Sequence, residues 1–328
     1  MASPPASPLL SIVVPCFDEE EVFPALQAAL HEVAKELEPE YEVEFVLVDD
    51  GSRDATWSAI RAFARVDPRV RGVALSRNFG HQMALTCGYD VAGGDAVVSL
   101  DADLQDPPEL IPRLVEAWRE RGADVVYAVR VRRDGDTLFK RFTAAAFYRL
   151  MRWMGASDVR EASGDFRLLS RRALEALREM SEQHRFVRGM VGWIGFETAE
   201  IEYERRPAVG GSSKYSFRRM VHLAVDAAVS FSIFPLRLTF VFAGLLSLIV
   251  LGYVANAAVN WLVFGAEMVP GWMSLLISIM AFGALNLVCI GIMGEYVGRI
   301  YEQTKGRPLY LIRDRVGSVR GRAGTDAT

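Results

Sequence analysis

The stretch "SLDADLQDPPEL", residues 99–110, closes an apolar run that begins "DAVV" at Asp95. Asp101 and Asp103 stand one residue apart, and Asp106 and Glu109 follow at once. The run has the length and flanks of a buried strand. Carboxylates this close repel one another unless a positive charge lies between them. The stretch therefore reads as the carboxyl end of a strand that carries a site, and the fold has to supply the rest of it.

Working outward, the first ~230 residues alternate in the way that marks an α/β domain. "LLSIVVP", "YEVEFVLVDD", "RVRGVALS", "DAVVSL" and "ADVVYAV" read as strands. Val22–Leu37, Thr56–Ala64, Gln82–Val91 and Pro107–Arg121 read as helices, the last with Pro at its start. Asp18, Asp49, Asp50, Asp101 and Asp103 all fall at strand ends, where open α/β sheets form their sites. The first turn, Pro15–Glu21, has no glycine, which excludes a G-x-G-x-x-G dinucleotide site, and no Walker-type loop occurs. Haloacid-dehalogenase-type phosphatases also end a strand in Asp-x-Asp, but they usually continue x-Thr or x-Val, and this chain has Leu104-Gln105. A divalent metal answers the repulsion. Mg²⁺ or Mn²⁺ takes one or two carboxylates plus phosphate oxygens, and Asp101, Asp103 and Gln105 offer hard oxygen ligands. Asp106 and Glu109 flank the helix start, where negative charge suits the helix dipole.

The net charge of −4 argues against a general nucleic-acid binder. Cys16, Cys87 and Cys289 are odd in number and widely spaced, so no disulfide framework or Cys-type zinc site is expected. The N-terminus lacks the pattern of a signal peptide. The apolar excess is concentrated late in the chain. Residues 238–266 and 268–294 carry no Asp, Glu, Lys or Arg, and each stretch exceeds the ~20 residues that cross a bilayer. Tyr253, Trp261 and Trp272 suit interface anchors. Arg218, Arg219 and Arg237 precede the first span, and Arg299, Lys305, Arg307, Arg313 and Arg315 follow the second. The positive-inside rule then places both ends in the cytoplasm. The expected location is the inner (plasma) membrane, multi-pass, with the catalytic domain and both termini cytoplasmic.

"SIVVPCFDEEE", "FVLVDDGSRDAT", "SRNFGHQMALTCGYDVAGGD", "SLDADLQDPPE", "SGDFRLLSRRAL", "RFVRGMVGWIGF" and "GGSSKYSFRRM" follow in order along the chain. Together they resemble family 2 glycosyltransferases of the GT-A fold. More narrowly they resemble polyprenyl-phosphate glycosyltransferases, the bactoprenol glucosyltransferases and dolichyl-phosphate mannose synthases. The two late spans and "GEYVGRIYEQTKGRPLY" fit the bactoprenol branch best. The resemblance implies a Rossmann-like GT-A domain with a mixed central sheet over 10–212, after an N-terminal tail at 1–9. A two-helix transmembrane hairpin at 237–295 and a cytoplasmic segment at 296–328, disordered at its end, would follow. It implies inverting transfer of a hexose from a nucleotide diphosphate sugar, UDP-glucose favoured, to polyprenyl (undecaprenyl) phosphate. GDP-mannose remains an alternative donor.

By the same resemblance, Pro15, Asp18, Glu20 and Ala102 line the nucleotide pocket, and Asp49 or Asp50 holds the base. Asp101, Asp103 and Gln105 hold Mg²⁺ or Mn²⁺ on the diphosphate. Asp165 in "SGDFR" either orients the reactants or acts as base, unless it serves as a helix cap or sugar contact. The anionic acceptor needs cations, for which Arg130, Arg133, Lys140, Arg141, Arg206, Ser213 and Lys214 are the candidates; Arg suits bidentate phosphate contacts. The family pattern places an Arg six residues before the Lys of G-x-S-K. That position is Ala208 here, with Arg206 two residues earlier.

Residues 138–154 and 213–236 mix basic and aromatic or long apolar side chains, as helices lying in a membrane interface do; packing on the sheet is the alternative. A processive polysaccharide synthase is a second function. It typically carries Q-x-x-R-W, and the nearest match, Arg149 to Trp153, lacks the Gln. A membrane-anchored sugar-nucleotide-binding protein without catalysis is a third. A homo-oligomer is left open.

Overall fold

The computed structural model describes residues 7–130, 163–204, 234–264 and 271–317. Residues 138–154, most of 213–236, and the candidates Arg133, Lys140, Arg141, Arg206, Ser213 and Lys214 lie outside the described residues. The chain divides into two compact units, one carrying a sheet and the other two long helices.

The sheet unit begins with β1 (Leu9–Cys16), α1 (Phe23–Leu37), β2 (Glu42–Asp49), α2 (Thr56–Val66), β3 (Val70–Leu75) and α3 (His81–Val91). It continues through β4 (Ala96–Ser99), α4 (Ile111–Arg121), β5 (Val125–Arg130), β6 (Ser163–Ser170), α5 (Arg171–Glu179), α6 (Val187–Trp193) and β7 (Thr198–Tyr203). The strands lie in the order β7-β5-β6-β4-β1-β2-β3, with one further strand, β8 (Ile312–Val316), at the β3 edge. β1 is parallel to β2 and β4, and β2 to β3. β6 runs antiparallel to both β4 and β5, and β8 antiparallel to β3, so the sheet is mixed as expected.

Both faces of the sheet are covered, which is why β1, β2 and β4 are apolar over most of their length. Alternation divides them between two cores. Ile12, Val14, Phe45 and Leu47 pack with Leu26, Leu30, Phe63 and Leu114 on one face. Val13, Val46 and Val48 pack with Leu85, Leu174, Val187 and Met190 on the other. Gly88 lets α3 approach closely, since a Cβ there would lie 2.2 Å from Val13 Cγ1.

The helix expected over 107–121 opens differently. Pro108–Leu110 is a short 3₁₀ turn, and the α-helix begins at Ile111 with Pro112 in its first turn. Proline pre-sets that first turn, and Pro107 is held in an extended conformation before another proline. Gly122, with φ +63°, ends the helix.

The second unit carries α7 (Phe234–Phe264) and α8 (Trp272–Thr304). Thr239–Asn256 and Ser274–Thr304 are long and apolar enough to cross a membrane, with mean hydropathies of 1.9 and 2.4. Neither span is buried within the protein, unlike the core helix of a soluble domain. After α8 the chain supplies β8, an element that the hydrophobic pattern does not announce.

Candidate active site

The site forms where β1, β2 and β4 end. Asp49 is the last residue of β2, Asp18 follows β1, and Asp101 and Asp103 follow β4. Pro15 lies within β1 opposite Val48, and Ala102 is buried. β6 runs the opposite way, so its start, not its end, reaches this edge. Ser99 of β4 pairs with Arg167, and Ser99 Oγ donates to the Asp165 carbonyl at 2.5 Å.

The loop after β1 is laced to the turn after β2. Asp18 Oδ1 accepts from Arg53 N–H at 2.8 Å and Glu20 Oε2 from Ala55 N–H at 2.8 Å. The backbone N–H groups of Asp18, Glu19 and Glu20 donate to Ser52 Oγ, Thr56 Oγ1 and Asp54 Oδ2. Gly51, with φ +70°, lets the β2 turn touch the next loop: a Cβ would lie 2.4 Å from the Arg77 carbonyl carbon.

Asp49 and Asp50 differ in what they leave free. Both oxygens of Asp50 are taken, by the N–H groups of Phe79 at 2.7 Å and Gly80 at 2.9 Å. Asp49 Oδ1 accepts from Ser52 N–H at 3.0 Å, while its Oδ2 is buried with no hydrogen-bond partner. Of the two, only Asp49 has an oxygen without a hydrogen bond, and Arg313 Nη2 lies 3.6 Å from it.

Asp101 Oδ1 is likewise buried without a hydrogen-bond partner, with His81 Nε2 3.5 Å away. Burial raises the Asp101 pKa against the nearby His81 charge, and Asp165, Asp106 and Asp103 raise it further. Asp103 Oδ1 accepts from Gln105 N–H at 3.0 Å, closing a turn through Leu104. Leu104 and Asp18 both have φ +54°, a region that costs a leucine free energy; the strain sits on the two loops that bear the acids. Glu19 is pushed up to about 7 by burial and by the charges of Asp103, Asp54, Asp101 and Asp18. This edge thus has excess negative charge and an orphaned carboxylate oxygen, a donor set that suits a hard divalent cation. Among the described residues no three His, Cys, Asp or Glu side chains form a ready ligand cage. A Mg²⁺ ion completed by phosphate oxygens needs only one or two carboxylates.

Asp165 is buried under cations. Its Oδ1 accepts from Arg167 Nη2 at 2.7 Å and Arg188 Nε at 3.0 Å, and its Oδ2 from Arg188 Nη2 at 2.9 Å. His81 Nε2 lies 3.2 Å from Oδ2, and Gln82 Nε2 3.4 Å. Burial alone would raise its pKa, but His81, Arg167 and Arg188 hold it well below the usual carboxylate range. Such a group stays ionised and is a weak base. His81 therefore bridges Asp101 on the β4 loop and Asp165 on β6. Sequence reasoning did not single out His81, Gln82 or Arg188. The only local signals were a His opening a helix after a strand and the Arg in "RFVRG".

Arg130, expected to meet the acceptor phosphate, donates to Asp106 Oδ2 at 3.1 Å and to Tyr203 Oη at 3.0 Å. Asp106 is fully buried and also accepts from Tyr203 Oη at 2.5 Å. It serves the fold, as expected, but by a buried pairing across β5 and β7.

A covered mixed sheet with its acids at the carboxyl ends of parallel strands defines a GT-A-type domain. The chain belongs to glycosyl transferase family 2, whose model matches residues 11–178, and it is a glycosyltransferase. It is 44% identical over 306 residues to a protein named bactoprenol glucosyl transferase from Shigella phage SfX, covering 93% of this chain and 98–99% of that protein and its SfV counterpart. Uncharacterized glycosyltransferase YkcC of Bacillus subtilis is 42% identical over 308 residues, 94% of each chain. Mannosyltransferase PcManGT from Pyrobaculum calidifontis, solved with GDP-Man and Mn²⁺, is 17% identical with a TM-score of 0.48, covering 92% of this chain and 86% of that one.

Proposed function

We propose that this protein moves glucose from a nucleotide diphosphate sugar to a polyprenyl phosphate, with inversion, giving a lipid-linked monosaccharide. The observation that carries this reading is the 41–44% identity, over nearly the whole chain, to proteins named bactoprenol glucosyl transferase or its homolog. The two exposed apolar helices fit a membrane-bound enzyme with a lipid acceptor. By the positive-inside rule the hairpin tip faces outward and the sheet unit the cytoplasm, in the inner membrane.

In this mechanism an oxygen of the acceptor phosphate attacks the anomeric carbon. The bond to the diphosphate oxygen breaks, and its electron pair leaves with the nucleotide. The acceptor is already anionic near neutral pH, so a strong base is unnecessary. Asp165, held ionised by Arg167 and Arg188, orients those cations and His81. Arg188, half exposed beside Asp165, is placed to hold an anionic group, and Arg130 keeps a third of its side chain exposed for the same purpose. Asp49, Asp18, Glu20, Pro15 and Ala102 shape the nucleotide pocket. Asp101, Asp103 and Gln105 would hold a divalent cation, which neutralises the departing diphosphate when bound.

Membranes containing the protein are incubated with radiolabelled UDP-glucose, undecaprenyl phosphate and Mg²⁺ or Mn²⁺. Label extracted as a lipid-linked monosaccharide supports the reading. Label in a long polymer identifies a synthase instead, and tight nucleotide binding without transfer identifies a binding protein. Loss of product in excess chelator tests the metal.

A further inference from the structure

The helix α6, which carries Arg188, is only seven residues long, and its N-cap residue Phe186 gives no side-chain cap. A helix that short is held by its surroundings, and its first N–H groups need partners from outside. Val187, its first residue, is fully buried, so water does not serve. The partner comes from α3: Gln82 Oε1 accepts from Val187 N–H at 2.9 Å. The other end of the same amide, Nε2, lies 3.4 Å from Asp165 Oδ2. That oxygen accepts from Arg188 Nη2 at 2.9 Å. The Val187 N–H fixes which way the amide faces, because the reverse orientation would set two donors against each other. The start of α3 is itself held. Asp50 accepts from the N–H groups of Phe79 and Gly80 just before it, and the Gln82 carbonyl accepts from Thr86 Oγ1 at 2.8 Å. Gln82 thus touches both things that define where Arg188 sits, the backbone it grows from and the carboxylate it grips.

We propose that Gln82 is a positioning residue for the acceptor: it sets Arg188 so that the guanidinium meets the acceptor phosphate. The proposal rests on the role given to Arg188 above. Asp165 takes the Nε and Nη2 of Arg188, and 40% of the Arg188 side chain stays exposed. A guanidinium gripped along its Nε–Nη2 edge presents the Nη1–Nη2 edge as a second fork, the geometry that suits a phosphate. Asp165 fixes the tip of the side chain, and Gln82 fixes its root through Val187. Without Gln82 a buried N–H at the start of α6 loses its partner, which is costly, and the helix start shifts to find another. A displacement of about 1 Å in a positioning group can cost up to about 10²-fold in rate. Among the described residues Gln82 makes no hydrogen bond to Asp49, Asp101 or Asp103, so its effect falls on the acceptor and not on the nucleotide sugar.

The test is steady-state transfer by the full-length protein in detergent, with UDP-glucose and undecaprenyl phosphate varied separately. The variants are Gln82→Ala, Gln82→Met, Arg188→Ala and the Gln82→Ala/Arg188→Ala pair. Arg188→Ala is expected to raise the KM for undecaprenyl phosphate at least about tenfold, the loss of a charge-assisted contact. Gln82→Ala is expected to raise that KM about tenfold and to leave the KM for UDP-glucose within about twofold. Added to Arg188→Ala, it should change the acceptor KM by no more than about twofold, because no Arg188 is left to place. Gln82→Met fills the same space without the hydrogen bonds and should behave as Gln82→Ala does. An unchanged acceptor KM in both Gln82 variants overturns the proposal. So does an equal rise in both KM values, or a Gln82→Ala effect that persists in full without Arg188. Loss of folding in both variants overturns it too, since Gln82 then holds the domain and not the acceptor. Arg188→Ala with an unchanged acceptor KM overturns the role of Arg188 beneath the proposal, and no transfer by wild type overturns the glucosyl-transfer reading itself.

Discussion

Arg167 donates to Asp165 across 2.7 Å, with 0% of one side chain and 3% of the other exposed. The bond is made by Nη2, and Arg167 Nε and Nη1 have no hydrogen-bond partner. Taking an arginine this far from water is unfavourable unless its charge is matched. Asp165→Asn removes the match, and the expected loss is about 3–5 kcal/mol of stability. Denaturant unfolding of the variant measures it. A loss within about 0.5 kcal/mol, typical of a surface change, would show that the pair is not what holds Arg167 in the core.

The same pairing bears on the chemistry. Because Asp165 is held well below the usual carboxylate range, it stays ionised across pH 5 to 9. The pH profile of kcat in that window should contain no step that Asp165→Asn removes. A step that vanishes in the variant would restore Asp165 as the base.

Asp106 predicts a second buried cost. Tyr203→Phe deletes the donor 2.5 Å from Asp106 Oδ1 and preserves the edge-on contact with Phe166. Leaving a buried carboxylate short of one donor should cost about 1–3 kcal/mol. Thermal unfolding checks this, and an unchanged midpoint would mean that Asp106 relies on its other contacts.

Asp67 sets a pH dependence away from the site. Burial raises its pKa, but hydrogen bonds from Arg69 and the charges of Arg69 and His31 lower it overall. A depressed folded pKa contributes stability that is present above the ordinary value of 3.8 and is lost as pH falls through the folded one. Asp67→Asn should therefore be less stable than wild type at pH 7, with the gap closing toward pH 3. A gap that stays constant would contradict the assignment.

Much of the sheet was legible because apolar runs bounded by turn residues mark strands, and the acids stood at their ends. Asp101, Asp103 and Asp18 could be placed by that logic alone. His81 and Arg188 could not. They meet Asp165 only because β6 runs antiparallel beside β4, a long-range pairing that local periodicity does not encode. Arg313 was hidden for the same reason: it read as a positive-inside charge after the second span, and only the β3–β8 register brings it to Asp49. The choice between Asp49 and Asp50 was also closed to sequence, since it depends on which oxygens the backbone already uses.

The central claim is glucosyl transfer to a polyprenyl phosphate through the acids after β4. Mass spectrometry of the lipid fraction, after purified protein is given UDP-glucose, undecaprenyl phosphate and Mg²⁺ or Mn²⁺, tests it most directly. The account predicts undecaprenyl phosphate carrying one hexose with wild type, and a loss of about 10²–10³-fold or more with Asp103→Ala, the scale of removing one transition-state stabiliser. An unmodified lipid with wild type, or full turnover with Asp103→Ala, would contradict it.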